Sequence, residues 1–471
     1  MLATSRDFEA NARAGLANDN LQRALGLARS GFPLRRQLAV ERLPEFDRLR
    51  EIGRSIKDHT LEHLDFYLEL YESKVVASGG KVHCVRTPEE ACAAVLQICR
   101  SVGAKIVTKG KSMVAEEMGL NEFLEANDIT PVETDLGEYI IQLRREPPSH
   151  IIAPAIHLMK EQVAETFRTA HRSLDPERSL IEPRQMCDEA REVLRPRFLS
   201  ADVGITGANF LVAETGSSII VTNEGNGDLT QTLPRVHIVV TSIEKVVPTL
   251  EDAATLLRLL ARSATGQEFS SYTTISTGPR RPADLDGPEQ YHVVLLDNGR
   301  SALLGTDFQD MLRCIRCAAC LNHCPVYAAV GGHAYGWVYP GPMGAVLTPS
   351  LIGIEETGHL PNASTFCGRC ESVCPVKIPL PKMMRHWRER EHAKKLSPQV
   401  YRTGLFLWAR VARRPALYHA LAEVASRVLG WTGQYRGRFR SLPLATGWTA
   451  VRDMPAPEGR SFHSLWAKRH K

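Results

Sequence analysis

Apolar residues recur three and four positions apart in DNLQRALGLARSGF, from Asp19, and again in IKDHTLEHLDFYLELYESKVVASGG, which stops at Gly79-Gly80. That spacing lines one face of a helix and paired glycines end one, so residues 1–71 are predicted to form a helical segment. Past Gly80 the period changes. KVHCV, AKIVTKG, SHIIAPAI, SSIIVTNEG and HIVVTSI are short runs rich in β-branched residues, separated by helix-period stretches such as TPEEACAAVLQICRSVG and SMVAEEMGLNEFLEAND. Strands alternating with helices predict an α/β domain over 72–300, its parallel sheet covered on both faces. A Pro/Gly/Asp-rich stretch, STGPRRPADLDGPEQ, and a last strand and turn, YHVVLLDNG, close it.

The pattern switches again at DFQDMLRCIRC. Residues 301–384 carry most of the cysteines in helix-compatible sequence. Beyond them, 385–471 read as a basic helical region, with LFLWARVARRPALYHALAEVASRVLGW as its core and a Gly-, Arg- and Trp-rich end of loose structure. A chain of 471 residues is too long for one ordinary core. Its 43% apolar and 24% charged residues suit a soluble globular protein, and no run approaches the ~18 apolar residues of a membrane span. The opening MLATSRDFEANARAG lacks the basic-then-apolar order of a secretory signal, so a cytoplasmic location is expected.

Charge separates the tail from the rest. From Lys382 to Lys471 there are 19 Lys and Arg against 5 Asp and Glu, a net of +14 in a chain whose formal total is +5. Such a surface suits an acidic partner, nucleic acid or the inner face of an anionic membrane, with LFLWARVARR offering one apolar and one basic face; the plainer reading is a helix with its arginines in solvent. No recognised nucleic-acid module accompanies the charge.

Seven of the eleven cysteines lie in two runs, CIRCAACLNHCPVY and CGRCESVCPVKIP. In a chain without signs of export these are thiolate ligands rather than disulfides. Cys314, Cys317, Cys320 and Cys324 form C-x2-C-x2-C-x3-C-P, in which three thiolates hold three corners of a cubane and the fourth turns to a second cluster. Structural zinc is the rival, but it favours separated pairs of ligands. Cys367, Cys370 and Cys374 repeat the motif without its first member. The crossover rule assigns Cys374 to Cys314, Cys317 and Cys320, which leaves Cys324, Cys367 and Cys370 for a second cluster.

Ser364 stands where the missing ligand would be. A protein oxygen or water could fill the gap, the iron could be absent to leave [3Fe-4S], or a remote cysteine could reach in. Cys84, Cys92, Cys99 and Cys187 are scattered singly and read as small buried hydrophobes. The long loop GGHAYGWVYPGPMGAVLTPSL serves equally as a docking face or as packing over the clusters.

The α/β part offers Lys109 and Lys111 at a strand-to-helix turn with Ser112 as a helix cap, Glu214, and a Gly/Asn-rich turn from Asn223 to Gly227. Glu133, Asp135, Glu138, His150 and His157 are further polar candidates. None of them forms a catalytic triad by sequence alone, and there is no nicotinamide or Walker fingerprint.

Together the two cysteine runs, GGHAYGWVYPGPMG, VTKGKSM, ETDLGEYI, HIIAPAIH and GITGANFLVAETG resemble the lactate utilization protein B family over nearly the whole chain. The resemblance implies a lactate-utilization domain similar to the CoA-transferase and sugar-phosphate isomerase superfamily, followed by a two-cluster ferredoxin-like domain. It implies an iron-sulfur electron-transfer subunit of a three-protein complex oxidising L-lactate to pyruvate, with two [4Fe-4S] clusters. Its partners would be a cysteine-rich iron-sulfur protein and a smaller protein with a lactate-utilization domain. Two rivals stand beside this expectation. One is a complete enzyme on a phosphorylated or CoA-linked acid using Lys109, Glu214 and the turn at Asn223 to Gly227; the other is a redox-sensing regulator.

Overall fold

The computed structural model describes residues 3–442, 446–449 and 452–470. They fall into two compact units, Met1–Glu391 and His392–Lys471.

The first unit is built on a six-stranded sheet. Numbered along the chain, the strands are β1 (Lys81–Val85), β2 (Ile106–Lys109), β3 (Thr130–Glu133), β4 (Val203–Thr206), β5 (Phe210–Val212), β6 (Ser217–Thr222), β7 (Val236–Ser242), β8 (Val246–Val247), β9 (Tyr272–Ser276) and β10 (Gln290–Leu296). β1, β10, β7, β4, β2 and β3 lie side by side in that order, every pair parallel. The helix Pro88–Ser101 that follows β1 starts where its sequence says it should. Thr87 Oγ1 accepts the Glu90 N–H at 3.3 Å, Pro88 takes the first turn, and Glu89 and Glu90 face the positive end of the helix.

From β2 the chain crosses to β3 on one side, whereas β4, β7 and β10 build outward on the other. The two connections part between β2 and β4, and a crevice opens there at the carboxyl ends of the strands. Gly204 lets the helix Asn226–Thr232 lie against β4, because a Cβ there would meet the Thr230 carbonyl oxygen at 1.7 Å.

A second sheet, in the order β8-β5-β6-β9 with antiparallel pairs at β5–β6 and β6–β9, was not expected. The strand expected at SHIIAPAI is absent. Ser149 N–H instead donates to the Pro154 carbonyl, and the Ile152 and Ala153 N–H groups donate to His150 Nδ1 at 3.1 Å each, which folds the segment into turns. Pro148 and Pro154 lack the donors a ladder needs.

The run expected as one helix before Gly79 breaks at His63 into Phe46–Glu62 and Leu64–Ala77. Leu25 of the earlier helix Asp19–Glu41, with Phe46 and Leu49 of Phe46–Glu62, shares a core with Leu256 and Leu259 of the α/β part and with Ile315, Leu321 and Val346 of the cysteine segment. The three segments therefore meet in one apolar interior. In the second unit, the helices Gln399–Ala412 and Pro415–Gly433 are followed by a short antiparallel pair, Arg438–Phe439 with Met454–Pro455, and the helix Phe462–Arg469. The expected loose end is thus partly ordered; residues 443–445, 450–451 and 471 lie outside the described ones.

Candidate metal centre

Each cysteine run makes a loop and then a short helix. Arg316 and Ala318 adopt positive φ, 59° and 61°, and Gly368 does so at 76°, so the chain curls and the helices Ala319–Asn322 and Arg369–Ser372 begin inside the motifs. Pro325 then starts the helix Pro325–Val330, where the Tyr327 N–H points at Cys324 Sγ at 3.5 Å.

The loops sort the sulfurs into two sets. Cys314, Cys317, Cys320 and Cys374 line one small cavity of about 20 Å³, walled by Ile151, Met343, Val376 and Leu380. Cys324 is the electrostatic neighbour of Cys367 and Cys370. Burial, with Cys374 adjacent, pushes the Cys317 thiol up to about 12, and burial raises Cys370 to about 12 and Cys374 to about 11. Cys367 is exposed, and the Arg369 N–H and the Thr365 hydroxyl lower it. Loading such a site releases protons from the buried thiols.

The donor set fits a cluster and not a single ion. Tetrahedral zinc thiolates would sit about 3.8 Å apart, from Zn–S bonds of ~2.3 Å. Among the described residues, the only three His, Cys, Asp or Glu ligand atoms within 4.8 Å of one another belong to His59, Glu62 and His63.

Cations that the sequence does not single out surround the sulfurs. Arg50 Nε and Nη2 donate to the Cys374 carbonyl at 3.0 and 2.8 Å, and Arg36 Nη2 donates to the Val373 carbonyl at 3.0 Å. Arg316, between two ligands, pairs with Glu244 at 3.0 Å and lies over the Tyr339 ring at 5.3 Å. Burial works against ionising Glu244, yet Arg300, Arg316 and Lys245 hold its carboxyl down at about 2. Arg300, wholly buried, donates to both Glu117 oxygens at 2.9 and 2.6 Å; it faces Glu244 Oε2 at 3.1 Å as an ion pair without hydrogen-bond alignment. Tyr339 completes the network by donating to Glu117 at 2.7 Å.

Ser364 Oγ accepts the Phe366 N–H at 3.1 Å. Of the remote cysteines expected to be buried, Cys92 and Cys99 sit in the core of the parallel sheet, with Cys92 Sγ donating to the Met118 carbonyl, whereas Cys84 and Cys187 are exposed. Residues of the long loop, Tyr335, Trp337, Tyr339 and Met343, are buried, so this segment packs over the cysteines rather than facing outward.

The candidates in the α/β part separate sharply. Lys109 is buried between Glu116 at 2.9 Å and Glu133 at 2.7 Å; Glu138 is buried nearby, its carboxyl raised by burial and by Glu116 and Glu133. Glu214 accepts the Leu250 N–H at 2.7 Å. Ser112 caps the next helix by accepting the Ala115 N–H at 3.2 Å. Ser112 also lines the crevice at the strand ends, a cavity of about 230 Å³, together with Lys111, Asp135, Asn223, Glu224, Asn226 and Gly227, whereas Lys109 and Glu214 do not. Ser149, His157 and Glu146 are hydrogen-bonded in series at 2.8 and 2.9 Å, but Ser149 is 1% exposed and its hydroxyl donates to Pro154. That is no nucleophile.

His150 joins the two halves. Its Nδ1 accepts two backbone N–H groups, so Nε2 carries the proton toward Asn322 Oδ1 at 3.1 Å, inside the first cysteine motif. Burial lowers His150 and His237 to about 3 each. Both stay neutral in the fold while the unfolded chain takes up protons below about pH 6.5, so stability is lost as pH falls through that value. The expected loss is about 1.4 kcal/mol per group for each pH unit below 6.5. Thermal scans between pH 7.5 and 5.5 on wild type and His150→Asn check this; equal slopes for both would refute the His150 share.

Residues 68–296 match the LUD domain, 310–378 the 4Fe-4S dicluster domain, and 369–471 the C-terminal domain of lactate utilisation protein B. The chain is 45% identical over 97% of its length to lactate utilization protein B of Oceanobacillus iheyensis, covering 95% of that protein. The chain belongs to the lactate utilization protein B family. Family members of the same name from Bacillus pumilus, at 42% identity over 99% of this chain and 98% of their own, and from Geobacillus kaustophilus, at 43% over 98% and 97%, are similarly close. A crystal structure of a DUF162 family protein from Deinococcus radiodurans matches 50% of this chain and 98% of its own at 14% identity. Its TM-score of 0.25 is too slight a likeness to bear on the fold. Like its family, the chain joins an α/β domain to a 4Fe-4S dicluster domain and a helical C-terminus.

Proposed function

We propose that this chain is the iron-sulfur electron-transfer subunit of a complex that oxidises L-lactate to pyruvate. It would hold one [4Fe-4S] cluster on Cys314, Cys317, Cys320 and Cys374 and another on Cys324, Cys367 and Cys370, whose fourth ligand is not a cysteine. The observation that carries this is the gathering of Cys374 with the first three cysteines of the other run around one apolar cavity. The relatives' shared name supports lactate as the substrate.

When bound, each cluster would supply a one-electron carrier, so the two together would match the two electrons that lactate releases on oxidation, while its two protons leave to water. The protein's own contribution is electrostatic and steric. Arg36, Arg50 and Arg316 put fixed positive charge beside the ligands and favour the reduced, more negative state. Ile151, Met343, Val376 and Leu380 keep water away from the first site. Its partners would be a cysteine-rich iron-sulfur subunit and a smaller subunit with a LUD domain.

Against the stand-alone enzyme, Lys109 and Glu214 are both engaged in internal bonds. Electron paramagnetic resonance of the anaerobic complex tests the proposal, recorded as isolated, after dithionite and after L-lactate. Cluster reduction by lactate at the rate of pyruvate formation is the expected result; pyruvate formed over oxidised clusters would overturn it.

A specific surface favours peripheral membrane contact as well. Among the described residues no helix is long and apolar enough to span a membrane. The helix Gln399–Ala412 nonetheless exposes Val400, Phe406, Leu407 and Trp408 beside Arg402 and Arg410. Sedimentation with anionic vesicles is expected to pull the protein down at low salt and release it at high salt. Equal recovery with neutral vesicles would remove this contact.

A further inference from the structure

The crevice at the strand ends and the first cysteine site share a wall. Ile151 lines both cavities, and Arg316, which lies between Cys314 and Cys317 in the chain, reaches into the crevice together with Tyr339. The crevice carries chemistry that the fold does not use. Lys245 follows β7, is 7% exposed and lines the cavity, yet among the described residues its Nζ has no hydrogen-bond or ion-pair partner. Thr241 Oγ1 and Asn226 Oδ1 are buried on the same cavity, also without partners. A buried lysine whose acidic neighbour, Glu244, is already shared with Arg300 and Arg316 is costly, and so is an unpartnered buried oxygen; together at one cavity they mark a place prepared for a polar ligand.

The charge of the lining narrows the ligand. Lys111, Lys245 and Arg316 face Asp135 and Glu224, a formal net of +1. Glu224 has Asp135 and Lys111 as electrostatic neighbours, and Lys245 has Arg316. This suits a small monoanion with a hydroxyl to donate, and the two carboxylates repel a doubly charged phosphate.

We infer that this cavity is the binding site for the 2-hydroxy carboxylate itself, with Lys245 and Thr241 holding the carboxylate at the end that abuts the first cysteine site. The inference rests on the proposed lactate function and places the substrate on this chain rather than on a partner subunit. Arg316 is already held by Glu244, so it acts as a positioning residue for the wall and not as the main anion ligand.

The test is calorimetric titration of L-lactate into the full chain, loaded with its clusters and kept reduced with dithionite so that no turnover occurs. One site is expected. Lys245→Met should weaken binding roughly 10- to 100-fold and Thr241→Val by roughly 10-fold, as expected for lost hydrogen bonds to a charged group. Thermal scans supply a second readout. Lactate should raise the melting temperature of wild type but not of Lys245→Met, whose unliganded form should melt no lower than wild type because a buried charge has gone.

Lactate binding within 3-fold of wild type in Lys245→Met would overturn the site, and tighter binding of inorganic phosphate than of lactate would overturn the ligand class. If wild type binds no lactate while lactate still reduces the assembled complex, the substrate sits on a partner; this inference fails and the electron-transfer function stands. If lactate reduces neither, that function fails first.

Discussion

Cys374→Ser is expected to lose the whole first cluster, about half of the bound iron, although Cys374 lies 54 positions beyond Cys320 and inside the other motif. The same loss is expected for Cys320→Ser. The decisive comparison is between double substitutions. Cys320→Ser with Cys374→Ser should lose no more iron than either alone, because both remove the same cluster. Cys370→Ser with Cys374→Ser should lose nearly all of it. Iron assay and the absorbance of thiolate-bound iron read the result, with Cys187→Ser as the unaffected control. An additive loss in the first pair would mean that each motif keeps its own cysteines and that the crossed assignment is wrong.

Glu117→Ala should be the most damaging change outside the cysteines. It removes the acceptor of two Arg300 bonds, of Asn298 Nδ2 at 2.6 Å and of the Tyr339 hydroxyl, and leaves a fully buried guanidinium with Glu244 as its one acid and the Asp297 carbonyl, at 3.0 Å, as its one hydrogen-bond acceptor. Breaking a buried pair by deleting one partner costs about 3–5 kcal/mol. Glu356→Ala offers the contrast, since its pair with Arg6 is more than half exposed on both sides and is worth at most ~1 kcal/mol. Thermal scans of the two variants separate them; equal midpoints would show that the buried network is not what fixes the α/β part to the cysteine segment.

What could be read in advance was whatever is local. Ligand spacing is local, because three thiolates of one loop must reach one cluster, so the cysteine motifs announced themselves. Several strands were legible for the same reason: β6, β7 and β10 are short β-branched runs between turns, although β6 pairs in the second sheet rather than the parallel one. SHIIAPAI misled because a run of apolar residues looks alike whether it pairs in a sheet or walls a cavity, as Ile151 does. Lys109 misled differently. Being the last residue of β2, it faces Glu116 and Glu133 in the interior, while Lys111, two positions on and past the strand, reaches the crevice.

The rest depends on distant partners. Arg36 and Arg50 sit on amphipathic helices, where arginines read as solvated. Nothing in their neighbourhood says that they will bond carbonyls more than 300 residues away. Lys245 was hidden by its surroundings too, since a lysine after a buried strand gives no sign that it will line a cavity without a hydrogen bond of its own.

That long reach sets a timetable for making the protein. Arg50 is separated by 324 positions from the carbonyl it grips, and at ~5–20 residues per second a ribosome needs about 16–65 s to bridge that interval. Throughout, the first helices have no carbonyls to clamp and the ligand from the second motif does not yet exist. The nascent chain therefore emerges with its leading segment waiting and its apolar faces uncovered, and iron can be sealed in only once synthesis has passed Cys374. Chaperone demand should accordingly concentrate on the leading helices of this chain.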